Sequence, residues 1–301
     1  MRRLVARASE PAGLRTVASL VWTVVLVAAL VGFVLRDPGG LRAALGLFRP
    51  VAVLTSALLI LLAKLLLAEI FGVVARSEGV PLSPYERQRT YHLSQLAKYL
   101  PGFVWQFASK GYLLQRQGAP PAIAARVIAA EQVWIIGGAA VVGIVAATAA
   151  VPVVAMDVGL LTGPWGEAPR TLFAVFAAFA LLGVAILRRR GGWVARRRLV
   201  GLSLAAWVAL SLSFAVLVAS VGGVHVSSLL IGGAAFPIAY IGGYVAPFAP
   251  GGIGVREGLL AALLTPILET EVAAAVAVMS RLVYLTVEVV LSTGLSRSRR
   301  A

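Results

Sequence analysis

The chain has 301 residues, is 60% hydrophobic and only 13% charged, with a mean hydropathy of +0.93. Soluble domains carry about a quarter of charged residues, so a water-soluble globular fold is excluded and the bilayer is the solvent. The net charge of +15 sits in short basic segments beside apolar runs, the positive-inside pattern, and not on a face built to bind nucleic acid.

Of the 27 basic residues all but Lys64, Lys98 and Lys110 are arginines, which fits a GC-rich bacterial genome and hence a bacterial cytoplasmic membrane. With no cysteine there is no disulfide, thiolate nucleophile or Cys-ligated metal, and two distant histidines, His92 and His225, make no metal site. No cofactor is expected.

A helical span needs about 20 apolar residues. The opening "MRRLVARASEPAGLR" leads into Val17–Leu35, too long for a signal-peptide core and followed by "RDPGG" instead of a small-residue cleavage site. It reads as a retained first span with a cytoplasmic amino terminus. Val51–Ala75 is the second span and carries Lys64 at its centre, with Glu69 five residues on.

The next segment, Pro84 to Gln117, does not fit the span length. Its start, "SPYE", is a capping box in which Ser83 caps, Pro84 takes the first helical position and Glu86 reaches back. Helix is expected as far as Leu100, a break at Pro101 and Gly102, and a second helix from about Phe103 to Gly118. Arg87, Tyr91, Ser94 and Lys98 form a polar stripe on the first piece, and Gln106, Lys110 and Gln117 one on the second. Two short helices with polar stripes and a Pro-Gly tip describe a re-entrant hairpin, with an interfacial helix pair as the plainer alternative.

Further spans are predicted at Pro121–Val151, holding Arg126 and Glu131, at Thr171–Leu187 and at Leu199–Val221. A second misfit runs from Ser227 to Leu264, interrupted by Pro237, Pro247, Pro250, Gly251, Gly252 and Gly254, with Arg256 and Glu257 just after. The last span, Thr270–Leu295, carries Arg281, Tyr284 and Glu288 at i, i+3 and i+7, a polar column on one face.

Pro101 and Pro250 are 149 residues apart, and each half, about 1–151 and 170–301, reads as three spans plus one broken hairpin. Three crossings are odd, so the second half is inverted. The expected fold is a single all-α polytopic domain over residues 1–301, an inverted repeat with re-entrant hairpins entering from opposite sides, although parity equally allows two extra crossings in place of the second hairpin. Arg76, Arg87, Arg89, Arg116, the loop Arg188 to Arg198 and the tail all fall on the cytoplasmic side in this topology, and the acidic "MDVGLLTGPWGEAP" falls outside. The basic segment around Arg36, Arg42 and Arg49 is the exception.

An ionisable residue at a helix centre costs about 2.5–3.5 kcal/mol on insertion scales, so Lys64, Glu69, Arg126, Glu131, Arg281 and Glu288 are unexpected without a purpose. Lys64 and Glu69 lie about 140° apart around their helix and need partners elsewhere. Arg126 and Glu288, near span ends, can instead reach headgroups. The repeat offset of 150 carries Glu131 onto Arg281, which suggests that these two face each other across a central cavity. Helices that begin inside the membrane present free N–H groups, an anion site. Lys98 beside Gly102, and Arg256 beside Gly251, Gly252 and Gly254, suit a phosphate reached from either face.

"SQLAKYLPGFVWQ", "GAPPAIAARVIAAEQ" and "PFAPGGIGVREGLL" resemble the lysylphosphatidylglycerol synthase transmembrane (flippase-like) family. The resemblance spans nearly the whole chain and is most specific at Gln95 to Trp105 and Pro250 to Glu257. It implies a flippase that moves an anionic or aminoacylated phospholipid, or a lipid-linked carrier, between leaflets. Only six residues, Ser296 to Ala301, follow the last predicted span. The chain is therefore expected to be a stand-alone member without the soluble aminoacyl-transferase domain, to be no enzyme, and to leave lipid modification to a separate enzyme as partner. Three alternatives remain, one of them a non-transporting assembly partner. An intramembrane lipid-modifying transferase is disfavoured by short loops and the lack of any nucleophile-elbow, P-loop or metal-ligand pattern. A small-solute secondary transporter would share this architecture and would differ in having a closed, small polar cavity.

Overall fold

Lys64 lies 14 residues from the start of a 28-residue helix, and that placement sets the logic of the whole molecule: apolar faces turn outward and charge turns inward. The computed structural model describes residues 46–99, 104–158, 193–246 and 249–297. Among these residues the chain is all-helical, with no strand. The α-helices are α1 (Pro50–Ser77), α2 (Pro84–Leu96), α3 (Trp105–Arg116), α4 (Pro121–Val158), α5 (Trp193–Gly222), α6 (Val226–Tyr244), α7 (Val255–Leu264) and α8 (Thr270–Arg297). Short 3-10 turns at Ala97–Tyr99 and Pro250–Gly252 follow α2 and precede α7.

Among the described residues five helices are long and apolar enough to cross a membrane: α1, α4, α5, α6 and α8. Four of them match predicted spans. The predicted spans Val17–Leu35 and Thr171–Leu187 lie outside the described residues, as do Pro101 and Gly102.

The helices are apolar on the outside because lipid, not water, faces them. On α1 the exposed residues Val51, Leu54, Leu58, Leu62 and Leu65 recur at helical spacing. The opposite face buries Ile60, Ala63, Lys64 and Leu67. Close approach of small residues packs the interior, as is usual where lipid supplies no hydrophobic drive. A Cβ on Gly232 of α6 would meet the Ala215 backbone of α5 at 3.0 Å, and one on Gly138 of α4 would strike Ser203 and Trp207 of α5. Those two side chains also donate hydrogen bonds across the helices, Ser203 Oγ to the Trp134 carbonyl and Trp207 Nε1 to the Ile135 carbonyl, each at 2.7 Å.

The expected capping box is present: the Glu86 N–H donates to Ser83 Oγ at 3.3 Å and the Ser83 N–H to Glu86 Oε2 at 3.0 Å. At about 1.5 Å per residue, α2, α3 and α7 are roughly 20, 18 and 15 Å long, too short to cross, whereas α6 reaches about 28 Å. The second broken segment therefore differs from the expectation of a plan like the first. Pro237 stays inside α6 without ending it, tolerated as prolines are in membrane helices and packed 3.5 Å from the Cβ position of Gly143 on α4. The interruption comes only after Tyr244.

The packed helix pairs have a regular pattern. Under the exchange of α1 with α5, α2 with α6, α3 with α7 and α4 with α8, each substantial helix–helix contact has its counterpart: α4 packs on α6 as α8 does on α2, α7 on α8 as α3 on α4, and α1 packs on α5 itself. The two 3-10 turns also meet each other.

Candidate functional site

The site is built where the tips of the two broken segments meet between α6 and α8. Residues 97–99 close the end of α2 as a 3-10 turn, which projects Lys98 and Tyr99 inward. On the other side Gly251 and Gly252 adopt φ of 59° and 71°, left-handed values that side chains other than glycine rarely tolerate. Space demands glycine there too: a Cβ on Gly251 would sit 3.0 Å from the Tyr99 ring, and one on Gly252 would sit 3.1 Å from the Gly243 backbone.

A cavity of about 50 Å³ lies at this junction. Among the described residues its charged lining is Lys98, Arg256 and Arg281, with no carboxylate. Gln95, Gln106, Tyr240 and Tyr244 add neutral polar groups, and the backbones of Gly243, Gly251 and Gly252 form one wall. Arg256 is 4% exposed, and its buried Nε and Nη2 have no hydrogen-bond partner among the described residues. Its guanidinium is held by aromatic faces, 4.3 Å from the Phe236 centroid and 4.8 Å from that of Tyr284, which supply cation–π attraction but no countercharge. Arg281 donates from Nη2 to the Gly251 carbonyl at 3.1 Å and approaches Glu257 at 3.5 Å without a hydrogen bond.

Behind the cavity is a carboxylate hub. Glu288 is fully buried and takes three donors: Lys64, Lys98 at 2.5 Å and the Tyr99 hydroxyl at 2.5 Å. The Tyr284 ring, one turn away on α8, stands 4.1 Å from the Lys64 ammonium and 5.2 Å from that of Lys98. The polar column of α8 is therefore internal, as its spacing predicts. Glu288 does not reach headgroups, contrary to the snorkelling alternative, because two lysines from other elements meet it inside. Lys64 and Glu69 do find separate partners: Glu69 pairs with Arg87 at 2.7 Å and lies 3.6 Å from Arg198. Arg126 pairs with Glu78 at 3.0 Å and keeps a half-exposed side chain.

The expected pairing of Glu131 with Arg281 is not found. Glu131, fully buried, holds Lys110 of α3 through both carboxylate oxygens at 2.7 Å, and the Tyr91 ring stands 4.8 Å from that ammonium. Arg281 is occupied by Gly251 and Glu257. A sequence offset does not fix which side chains face each other, and Lys110, 21 residues from Glu131 across a short turn, is the cation that reaches it.

The helix start at Gly254 is also not open. Its N–H donates to Glu257 Oε2 at 2.6 Å, so Glu257 caps α7 with its own carboxylate. Of the expected site residues, Lys98, Gln106, Gly251, Gly252, Arg256 and Arg281 share the cavity, Lys110 with Glu131 and Lys64 with Glu288 form the core behind it, and Gly254 with Glu257 shape the α7 start. The aromatic contributors Tyr99, Phe236, Tyr240 and Tyr284 were not singled out as site residues. Tyr240 and Tyr244, four apart on one helix face, were the available signal.

Compared with family models the chain matches none, and no curated protein matches it.

Proposed function

We propose that the chain is a membrane transporter of the flippase type, moving a lipid with an anionic headgroup, an anionic or aminoacylated phospholipid or a lipid-linked carrier, between leaflets of the bacterial cytoplasmic membrane. The observation that carries this reading is the cavity deep among membrane helices, where Lys98, Arg256 and Arg281 converge without a lining carboxylate. A charge costs several kcal/mol at such depth unless it is paired, so an unpartnered Arg256 invites an anion.

Exposed apolar side chains beside the lining residues support a lipid: Val104 and Trp105 precede Gln106, and Val245 follows Tyr244. The exchange pattern of helix contacts supports two structurally related halves. An inverted arrangement with both termini cytoplasmic, the first hairpin re-entrant, agrees with it and with the distribution of arginines. Resemblance to the lysylphosphatidylglycerol synthase transmembrane family points the same way, and a separate enzyme would then make the lipid.

Purified protein in vesicles carrying a fluorescent anionic phospholipid should expose the inner-leaflet label to an impermeant quencher faster than empty vesicles do, and Arg256→Gln should remove the gain. Equal quenching with and without protein, for each anionic lipid tried, sinks the transport reading. The cavity's small volume favours one second reading, transport of a small soluble anion. Uptake of radiolabelled phosphate or sulfate into the same vesicles tests it.

A further inference from the structure

Resting on the transport reading above, we propose that the cavity selects a lipid with a dianionic phosphate headgroup, a phosphomonoester or diphosphate, over phosphodiester and aminoacylated lipids. The argument is a charge count of the buried network. Lys110 and Glu131 neutralise each other at 2.7 Å and drop out. What remains around the cavity is Lys64, Lys98, Arg256 and Arg281 against Glu257 and Glu288.

With both lysines protonated this group carries two positive charges in excess, among the described residues, and the arginines cannot shed theirs. A phosphodiester supplies one negative charge. An aminoacylated phosphodiester adds cationic amines and would bring positive charge to a site already in excess. A phosphomonoester above its second ionisation, near pH 6, or a diphosphate, supplies two.

The donors are placed for several oxygens at once. Arg256 lines the cavity, and its Nε and Nη2 are buried against aromatic rings with no hydrogen-bond partner among the described residues; turned toward the cavity, the fork of its guanidinium matches two oxygens of one phosphate. Arg281 and Lys98 line the same space, and Gln95 and Gln106 offer amide groups to oxygens left over. Glu257 accepts from the Gly254 N–H at 2.6 Å and, like Glu288, does not line the cavity, so neither repels an arriving anion from within. The cavity of about 50 Å³ has room for about three to five waters at about 10–15 Å³ each, the scale of one phosphoryl group's oxygens.

The test is lipid competition on the full chain in nanodiscs at pH 8, read by native mass spectrometry of bound lipid. Phosphatidic acid and a prenyl phosphate compete separately with phosphatidylglycerol and with lysylphosphatidylglycerol, and inorganic phosphate is added in a further arm. At least tenfold preference for the two monoester lipids, falling to less than threefold in Arg256→Gln and in Arg281→Gln, is the expected result. Equal binding, or preference for either phosphodiester, overturns the proposal, and this comparison needs no variant to fold. Inorganic phosphate that displaces phosphatidic acid at equal concentration would show a site for a free anion and would overturn the lipid assignment.

The quencher assay, run in parallel with the same lipids, separates the two readings. Preference without leaflet exchange keeps the dianion site and removes transport. Exchange without preference keeps transport and removes the dianion site.

Discussion

The first broken segment, α2 with α3, brings cations that are already matched: Arg87 to Glu69, Lys98 to Glu288 and Lys110 to Glu131. The second, α6 with α7, brings Arg256, which has aromatic faces around it and unpartnered nitrogens. The two segments meet at their tips, so the difference does not come from depth or neighbourhood. It comes from what each was built to hold. The first is locked to α1, α4 and α8 by internal salt bridges, and Ser292 Oγ to the His92 carbonyl at 3.0 Å ties α8 to α2 as well. The second keeps its charge available beside a cavity. Removing a partner should therefore be costly on the first side and nearly free on the second.

The largest effect is expected for Glu288→Gln. It strands Lys64 and Lys98 together with no carboxylate, and breaking a single buried pair typically costs about 3–5 kcal/mol. The variant should yield little monodisperse protein in mild detergent, and adding Lys64→Met should recover a large part of it. Wild-type yield and melting temperature for Glu288→Gln alone would mean that the hub does not hold the first segment in place.

Somewhat smaller is the loss from Lys110→Met, which leaves Glu131 alone at about the same 3–5 kcal/mol for one partner. The double variant Lys110→Met with Glu131→Gln should stand within about 1–2 kcal/mol of wild type, since replacing both members of a buried pair is often neutral. A second cycle on Glu131 and Arg281 should be additive to within about 0.5 kcal/mol, as for residues sharing no partner. Coupling in the second cycle and none in the first would reverse the partner assignment.

Backbone substitutions sharpen the comparison within the second segment alone. Gly252→Ala forces a side chain into φ of 71° and within 3.1 Å of Gly243, a cost of about 1–3 kcal/mol. Gly233→Ala on α6 meets nothing within 4 Å and should gain up to about 1 kcal/mol, as alanine does over glycine in a helix. Melting curves of the pair read both signs.

Which of these features the sequence made legible follows from range. Local signals read well: the Ser83 capping box, the helix break near Pro250, the polar stripe of α2 and the internal column Arg281, Tyr284, Glu288. The burial of Lys64 follows from its depth in an apolar run. Partner identity did not follow, because it depends on how helices far apart in the chain are rotated against one another. Headgroup contact stood as the alternative for Glu288 because it lies near a span end, and the crossing lysines that hold it inside come from 224 and 190 residues away. Pro237 looked like a breaker because the water-based rule is strict, while in α6 neighbouring helices support the interrupted turn. The aromatic cage was invisible since tyrosine and phenylalanine are unremarkable in membrane helices until a cation is placed between them.

The smallest stability change, and the sharpest use of the comparison, is expected for Arg256→Gln. In the first segment the loss of Lys110 strands the buried Glu131. Here no carboxylate depends on Arg256, and a neutral amide of shorter reach is cheaper to hold in the membrane than a guanidinium. The melting temperature of the empty protein should stay the same or rise, by an equivalent of up to about 1–2 kcal/mol, in line with the gains seen when uncompensated buried charge is replaced. Stabilisation by an added anionic lipid should meanwhile disappear. Loss of phosphate contact thus separates from loss of fold in one variant, with thermal melts recorded with and without phosphatidic acid. If Arg256→Gln instead destabilises the empty protein as much as Lys110→Met does, Arg256 is a structural cation held by Phe236 and Tyr284, and the two broken segments do the same job.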